Sequence, residues 1–157
     1  MKKRVVSVLL AVIFTASIFA FAGCSSSKSS GDTIKVGFLG PLSGDVAIYG
    51  KSAQSGADLA VKEINDAGGI NGKKIELVAY DSKGDQTEAI NAYNRLRDQD
   101  EAVAVIGGVL SGETLAMKDI MVQDNMPVLT PTATAVDVTT DAPNVFRACF
   151  LDDYQGV

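Results

Sequence analysis

The sequence contains no histidine, and only two of its 157 residues are cysteines. Without histidine the chain lacks the usual general base, the commonest metal ligand and every serine–histidine or cysteine–histidine nucleophile pair. Most hydrolase chemistry is therefore excluded. We expect a protein that is not an enzyme, with no catalytic residues, no metal site and no cofactor.

Basic residues are also scarce in most of the chain. There are 14 lysines and arginines against 19 aspartates and glutamates, and three of the basic residues are Lys2, Lys3 and Arg4. Beyond these, 11 basic residues face 19 acidic ones, which gives a net charge of −8. Because nucleic-acid binding requires basic surface, we expect no nucleic-acid partner.

The first residues have the pattern of a secretory leader. Lys2, Lys3 and Arg4 precede an apolar run over residues 5–21, which is short for a membrane-spanning helix. The junction Phe21-Ala22-Gly23-Cys24 resembles the lipobox of bacterial lipoproteins, which implies cleavage before Cys24 and acylation of that residue. The alternative is an ordinary signal peptide in which the cysteine has no role.

The sequence divides into three parts. We expect a lipoprotein signal peptide over 1–23, a flexible serine-rich tether over 24–32 and one folded lobe over 33–157. A chain of this size buries roughly 68% of its unfolded surface, enough for a single core. The leader predicts a cell-membrane location, lipid-anchored and facing the extracytoplasmic side. Cys149, in an apolar alternating stretch, is interpreted as a small buried hydrophobe, with a reactive thiol as the alternative.

Apolar periodicity predicts strands that alternate with helices, which is typical of an α/β fold with a parallel sheet and helices on both faces. The predicted strands cover 34–40, 75–80, 102–107, 127–130 and 145–150. The first helix is predicted over 50–67, with one buried face formed by Ala53, Ala57, Ala60, Val61 and Ile64.

Two further helices are predicted from their starting residues. Asp85 and Glu88 fit a capping box. The buried face of that helix is predicted to contain Ala89, Ile90, Tyr93 and Leu96. Ser111 is placed as the N-cap of the next helix, with Glu113 in its first turn. The buried residues there are predicted to be Leu115, Met117, Ile120 and Met121.

Ligands of open parallel sheets bind outside the carboxyl ends of the strands. The loops at that edge carry Tyr49, Ser111 and a threonine cluster, Thr130, Thr132 and Thr134. A hydroxyl beside a helix N-terminus favours a carboxylate or another anion. The alternatives are that Ser111 is only a helix cap, that the threonines only form turns and that Tyr49 only packs against the first helix.

Asp81 and Asp85 invite a metal site, but we interpret one as closing a turn and the other as a helix cap. The glycines after the first strand do not have the spacing of a dinucleotide-binding loop.

Several motifs together carry a family resemblance. The main ones are Gly40-Pro41-Leu42-Ser43-Gly44, Tyr49-Gly50, Gly68-Gly69-Ile70-Asn71-Gly72, Val105-Ile106-Gly107, Pro131-Thr132-Ala133-Thr134 and Phe146-Arg147. From Ile34 to its last residue the chain resembles the N-terminal lobe of the branched-chain amino acid type of ABC-transporter substrate-binding protein, with a type I periplasmic-binding-protein fold. The resemblance implies that Ser111 and Thr134 bind the ligand carboxylate. It also implies that the Thr132 carbonyl receives the amino group and that Tyr49 covers the ligand.

The resemblance implies a function without bond chemistry. An extracytoplasmic lipoprotein of this kind captures a small amino acid, branched-chain or related, and delivers it to ABC-transporter permease subunits. Family members have two lobes, and this sequence ends within the first, so we expect it to be an N-terminal fragment. The alternative is a sensory ligand-binding lobe that reports to a membrane signalling partner. An extracellular enzyme is a third class, but Ser111 has no histidine or lysine near it in sequence.

Overall fold

The computed structural model of the protein describes residues 33–155. The predicted leader, Cys24 and the serine-rich tether lie outside the described residues. The elements, in chain order, are β1 (Thr33–Gly40), α1 (Ala47–Asp66), β2 (Lys74–Asp81), α2 (Gln86–Asp98), β3 (Ala104–Gly107), α3 (Ser111–Gln123), β4 (Val128–Thr130) and β5 (Val145–Arg147). Two 3-10 turns, Val136–Val138 and Asp152–Tyr154, flank β5.

The five strands form one parallel sheet in the order β2-β1-β3-β4-β5. Gly37 of β1 lies between Val78 of β2 and Val105 of β3 in the register. The second strand in sequence thus lies on one side of β1, and all later strands lie on its other side. The order in which strands are added to the sheet therefore reverses at β1. In open α/β sheets this reversal creates the crevice in which ligands bind.

Neighbouring residues of β1 point to opposite faces of the sheet. Phe38 and Leu39 are both fully buried. Phe38 packs with Ala57 of α1, whereas Leu39 belongs to the cluster formed with Tyr93 of α2 and Met117 of α3. Helices therefore cover both faces, and the predicted fold class is confirmed.

The first helix differs from its prediction in start and burial. It begins at Ala47, before the predicted start at Gly50. Of the predicted face, Ala57 is buried and Ala53 half-buried, whereas Ala60 and Ile64 are exposed. The reason is that α1 packs mainly against β1 and β2, so only a narrow stripe of it is covered.

In α2 the predicted face is confirmed for Ala89, Tyr93 and Leu96, and Ile90 packs half-buried against the same core. In α3, Met117 and Met121 are fully buried as predicted.

Leu115 was predicted to be buried in α3 and is 40% exposed, so that prediction is wrong. Glu113 and Thr114 are buried instead. Their polar groups have partners, as in the 2.9 Å bond that the Thr114 hydroxyl donates to the Gly108 carbonyl. These partners turn the start of α3 toward the strand ends rather than toward the apolar core.

The α1 side of the last two strands carries apolar residues that are only partly covered within residues 33–155. Leu129 of β4 and Phe146 of β5 are register partners, and they are 40% and 56% exposed. None of the helices in this range has the length and apolar character required to span a bilayer.

The predicted fifth strand is too long, because β5 ends at Arg147. Cys149 therefore lies after the strand, half-buried, with its sulfur 3.5 Å from the Ala133 carbonyl oxygen. Within the described residues its thiol has no disulfide partner, and the side chain is only half-buried, in contrast to the small buried hydrophobe that the alternating pattern predicted.

Candidate functional site

The candidate site lies at the carboxyl edge of the sheet, beside the reversal at β1. The segments that follow β1, β3 and β4 meet there, because parallel strands end at the same edge. They carry the four predicted ligand-binding residues. No group of three or more acidic or cysteine side chains within residues 33–155 is arranged to hold a metal ion.

Ser111 is the first residue of α3 and does not have the predicted role of N-cap. The cap position is occupied by Leu110, with φ −97° and ψ 144°. The Ser111 hydroxyl oxygen instead accepts the N–H of Ala135 at 3.2 Å. Because a hydroxyl has one proton to donate, Ser111 keeps its O–H for another acceptor.

The first turn of α3 has no side-chain cap, since the leucine at the cap position has no polar atom to offer. The N–H groups of Ser111, Gly112 and Glu113 find no acceptor within the described residues. Ser111 and Gly112 are partly exposed. Free N–H groups and the positive end of a helix dipole together attract an anion.

The threonine loop after β4 is bonded to the loop after β3. The Thr130 hydroxyl donates to the Gly108 carbonyl at 2.7 Å, and the Thr132 hydroxyl donates to the Val109 carbonyl at 2.5 Å. Both hydroxyls thus hold the two loops together. The Thr132 group that is expected to bind the ligand amino group is its backbone carbonyl. The hydrogen bond made by the Thr132 hydroxyl therefore does not compete with that contact.

Thr134 lies in the same loop and is half-buried. Its carbonyl accepts the N–H of Asp152 at 3.1 Å. Its hydroxyl forms no hydrogen bond with the residues that the structure describes, in contrast to those of Thr130 and Thr132. Ser111, Thr132 and Thr134 therefore lie on two bonded neighbouring loops.

Arg147 is a further residue that holds this loop, and its charge in an otherwise apolar strand is the sequence signal for it. Its guanidinium donates to the carbonyls of Ala133 at 2.8 Å and Ala135 at 2.9 Å. The same group donates to the Thr139 hydroxyl at 3.1 Å. The three bonds fix the loop that carries Thr132 and Thr134 against β5.

Tyr49 lies on a different element from the other three predicted residues. It is in the first turn of α1 and 56% exposed, so it does not simply pack against that helix. No hydrogen bond within the described residues joins its side chain to Ser111, Thr132 or Thr134. The next residue, Gly50, sets its position: a Cβ there would lie 1.9 Å from the Pro41 carbonyl oxygen. The first turn of α1 thus approaches the loop after β1 closely.

Asp81 organises the loop after β1. It accepts the N–H of Leu42 at 2.7 Å, the hydroxyl of Ser43 at 2.6 Å and the N–H of Lys83 at 2.8 Å. Burial alone would raise the pKa of this carboxyl, but these hydrogen bonds outweigh it and lower the pKa of Asp81. Asp85 caps α2 by accepting the N–H groups of Thr87 and Glu88. The turn-closing and capping roles predicted for the two aspartates are confirmed.

Ser82 and Glu113 interact behind the site, and the sequence did not predict this contact. The Ser82 hydroxyl donates to a Glu113 carboxylate oxygen at 2.5 Å, and both residues are buried. Their separation in sequence gives no local signal for the contact. The only signal available was the position of Glu113 in the first turn of α3.

Comparison with known proteins gives a consistent result. The family described as periplasmic binding protein matches residues 33–157. A leucine-, isoleucine-, valine-, threonine- and alanine-binding protein of Pseudomonas aeruginosa is 38% identical over 138 residues, covering 87% of this chain and 37% of its own length. The chain thus spans little more than a third of that relative.

Solved structures agree in fold. The branched-chain amino acid transporter substrate-binding protein LivJ of Streptococcus pneumoniae, in complex with isoleucine, has a TM-score of 0.73 at 41% identity, over 76% of this chain and 34% of that one. A solute-binding protein of an ABC transporter from R. palustris, in complex with benzoate, has a TM-score of 0.70 at 34% identity, over 79% and 34% of the two chains.

Proposed function

Because the chain belongs to the periplasmic binding protein family, we propose that it forms the N-terminal ligand-binding lobe of an extracytoplasmic lipoprotein that captures a branched-chain or related amino acid. The captured ligand is delivered to the permease subunits of an ABC transporter. The observation that carries the proposal is the uncapped N-terminus of α3 beside the free O–H of Ser111. The family is one of solute-binding proteins rather than of enzymes.

The two halves of an amino acid backbone have complementary groups on the two bonded loops. A ligand carboxylate accepts hydrogen bonds from the Ser111 hydroxyl, the Thr134 hydroxyl and the free N–H groups of α3. These are charge-assisted bonds, which are stronger than neutral ones. The ligand ammonium donates to the Thr132 carbonyl, and Tyr49 covers the ligand from α1.

The relatives support a small carboxylate as ligand and favour an amino acid. The Pseudomonas relative is named for five aliphatic or hydroxylated amino acids, and the Streptococcus structure contains isoleucine. The R. palustris structure contains benzoate, which shares the carboxylate but has no ammonium group. The carbonyl of Thr132 distinguishes the two ligand types, because benzoate has nothing to donate to it.

The proposed location follows from the leader and the family. Cleavage and acylation at Cys24 would anchor the protein outside the cytoplasmic membrane, and the serine-rich tether would let the lobe reach the permease. Two or more acyl chains anchor a protein stably where one does not. A sensory protein would share the binding site but would need a signalling partner instead of a permease.

Calorimetry on the mature protein in its full natural length tests the proposal. Leucine, isoleucine, valine and alanine are titrated beside benzoate. We expect micromolar or tighter binding of at least one branched-chain amino acid and weaker binding of benzoate. Binding of benzoate alone, or of none of the five, would contradict the proposed ligand. Uptake of labelled leucine is compared in a deletion strain with and without the gene put back. Only a transport protein restores uptake, so this comparison separates transport from sensing.

A further inference from the structure

A buried carboxylate lies directly behind the candidate ligand site. Glu113 is the third residue of α3, two positions after Ser111, and it is 1% exposed. None of the ligand contacts proposed above uses its side chain. Buried carboxylates are uncommon unless they are paired, so its partners indicate its role.

Both carboxylate oxygens of Glu113 have a hydrogen-bond partner. One accepts the N–H of Leu110 at 3.2 Å, and the other accepts the Ser82 hydroxyl at 2.5 Å. Leu110 immediately precedes Ser111. Glu113 therefore folds back on the segment that leads into its own helix and ties that segment to the residue after β2.

Ser82 extends this connection to the end of β1. Its own N–H donates to the Gly40 carbonyl at 3.0 Å, and its side chain is fully buried. The segments after β1, β2 and β3 are thus joined through the pair formed by Ser82 and Glu113. Tyr49 follows the segment after β1, and Ser111 follows the segment after β3. The Ser82–Glu113 hydrogen bond therefore links the two segments that precede these predicted ligand residues.

The electrostatic surroundings of Glu113 contain no paired cation. No lysine or arginine within residues 33–155 forms an ion pair with it. The charged residues at the end of β2 and in the segment after it are Asp81, Lys83 and Asp85. Burial, helped by the charge of Asp81, raises the pKa of Glu113 despite the hydrogen bonds it accepts. The residue is therefore costly to bury as an anion, and the bonds it makes offset only part of that cost.

We propose that Glu113 is a positioning residue: through Leu110 and Ser82 it fixes residues 108–112, and thereby places the Ser111 hydroxyl and the free N–H groups of α3 for the ligand carboxylate. The assignment rests on the proposed function. A merely structural residue would affect only whether the lobe folds. The proposed role of Glu113 is to set the positions of the protein groups that bind the ligand.

Three substitutions test the proposal in the mature protein of full natural length. Glu113→Gln retains the shape and an acceptor oxygen, Glu113→Ala removes both links, and Ser82→Ala removes one. Glu88→Gln is the matched control, since Glu88 is also in the first turn of a helix but is bonded through its backbone to the cap Asp85. Leucine affinity is measured by calorimetry, and hydrogen exchange of residues 105–115 is measured without ligand.

We expect Glu113→Ala to weaken leucine binding about tenfold or more and to speed exchange over 108–112. Ser82→Ala should give a smaller loss in the same direction. Glu113→Gln should restore affinity to within about threefold of the parent protein, and Glu88→Gln should match the parent.

Leucine affinity within twofold of the parent for both Glu113→Ala and Ser82→Ala, with unchanged exchange over 108–112, would overturn the assignment. If Glu113→Ala does not fold, Ser82→Ala decides in the same way, because it removes the hydroxyl that Glu113 accepts. If the parent protein binds no amino acid, the proposed function fails. The exchange data then still show whether Glu113 orders residues 108–112, so the two failures are distinguishable.

Discussion

The hydroxyl oxygen of Ser111 accepts the N–H of Ala135 at 3.2 Å. This bond joins the start of α3 to the loop after β4. It uses the acceptor side of the hydroxyl and leaves the proton free. The oxygen of the Ser111 hydroxyl thus helps to hold the two segments together, and its proton is available for the proposed ligand contact. The two roles are separable by experiment.

Ser111→Ala should weaken ligand binding by one to two decades, because a charge-assisted hydrogen bond contributes about 1.5–3 kcal/mol. The ligand-free protein should lose only about 1 kcal/mol of stability, from the unpartnered Ala135 N–H. Calorimetry measures the first effect and a thermal melt without ligand the second. Ser55→Ala is the control, as Ser55 is exposed on α1 and, among the residues that the structure describes, its hydroxyl donates only to the Lys51 carbonyl at 2.9 Å. Unchanged affinity in Ser111→Ala would show that its role is structural.

Glu113→Gln should change how stability depends on pH. The pKa of Glu113 is raised in the folded protein above its ordinary value of 4.5. The folded state therefore binds a proton more readily than the unfolded state, and this contribution to stability is lost as pH rises through the folded pKa. Because glutamine does not titrate, the variant should gain stability relative to the parent as pH rises above 4.5. Urea unfolding at a series of pH values measures this, and a difference independent of pH would contradict it.

Asp81→Ala should loosen the loop after β1 and cost about 1–2 kcal/mol, because several hydrogen bonds lose their acceptor. Asp81→Asn retains one acceptor oxygen and should cost less. Since the pKa of Asp81 is lowered from 3.8 in the folded state, its contribution is present above that pH and is lost as pH falls through the folded pKa. The difference between the parent and Asp81→Asn should therefore shrink in acid. Thermal melts at neutral and acidic pH provide the measurement.

Asp85→Ala should cost about 1 kcal/mol, because it removes the cap of α2. Asp85→Asn should be nearly neutral, as asparagine accepts the same N–H groups of Thr87 and Glu88. Denaturant midpoints of the two variants give the comparison. Equal losses for both would show that the negative charge, rather than the cap, stabilises the helix.

Cys24→Ser should prevent lipidation, because serine forms no thioether. The protein should therefore lose the mass of the acyl chains, whether or not an uncleaved leader keeps it at the membrane. Cell fractionation and the intact mass of the membrane-bound protein measure this. A parent protein that begins at another residue, or that is found in the medium, would contradict lipidation at Cys24.

The order and type of the elements could be predicted because their signals are local. Apolar runs marked β1 and β2, and Asp85 marked the start of α2. The later strands were predicted too long, since pairing with a neighbour, and not the apolar run, decides where a strand ends. β5 pairs with β4 only from Val145 to Arg147.

The predicted start of α3 was wrong by one residue because serine is a better cap than leucine in isolation. Glu113 accepts the N–H of Leu110, the cap residue itself, so within the described residues the N–H groups of Ser111, Gly112 and Glu113 stay without an acceptor. A buried glutamate is invisible to apolar periodicity, which explains why Leu115 was assigned to the core in its place. The pairing of Ser82 with Glu113 depends on the sheet order, which no local pattern encodes.

The central place of β1 sets the order in which the chain can fold. β1 is synthesised before both of its neighbours, yet Gly37 pairs with Val78 on one side and with Val105 on the other. Long-range pairings of this kind form slowly, because the intervening chain must first be closed into a loop. One edge of β1 thus stays open while α2 is being made, and an open strand edge recruits other chains. Until β3 pairs with it, this edge of β1 is therefore exposed to pairing with another chain.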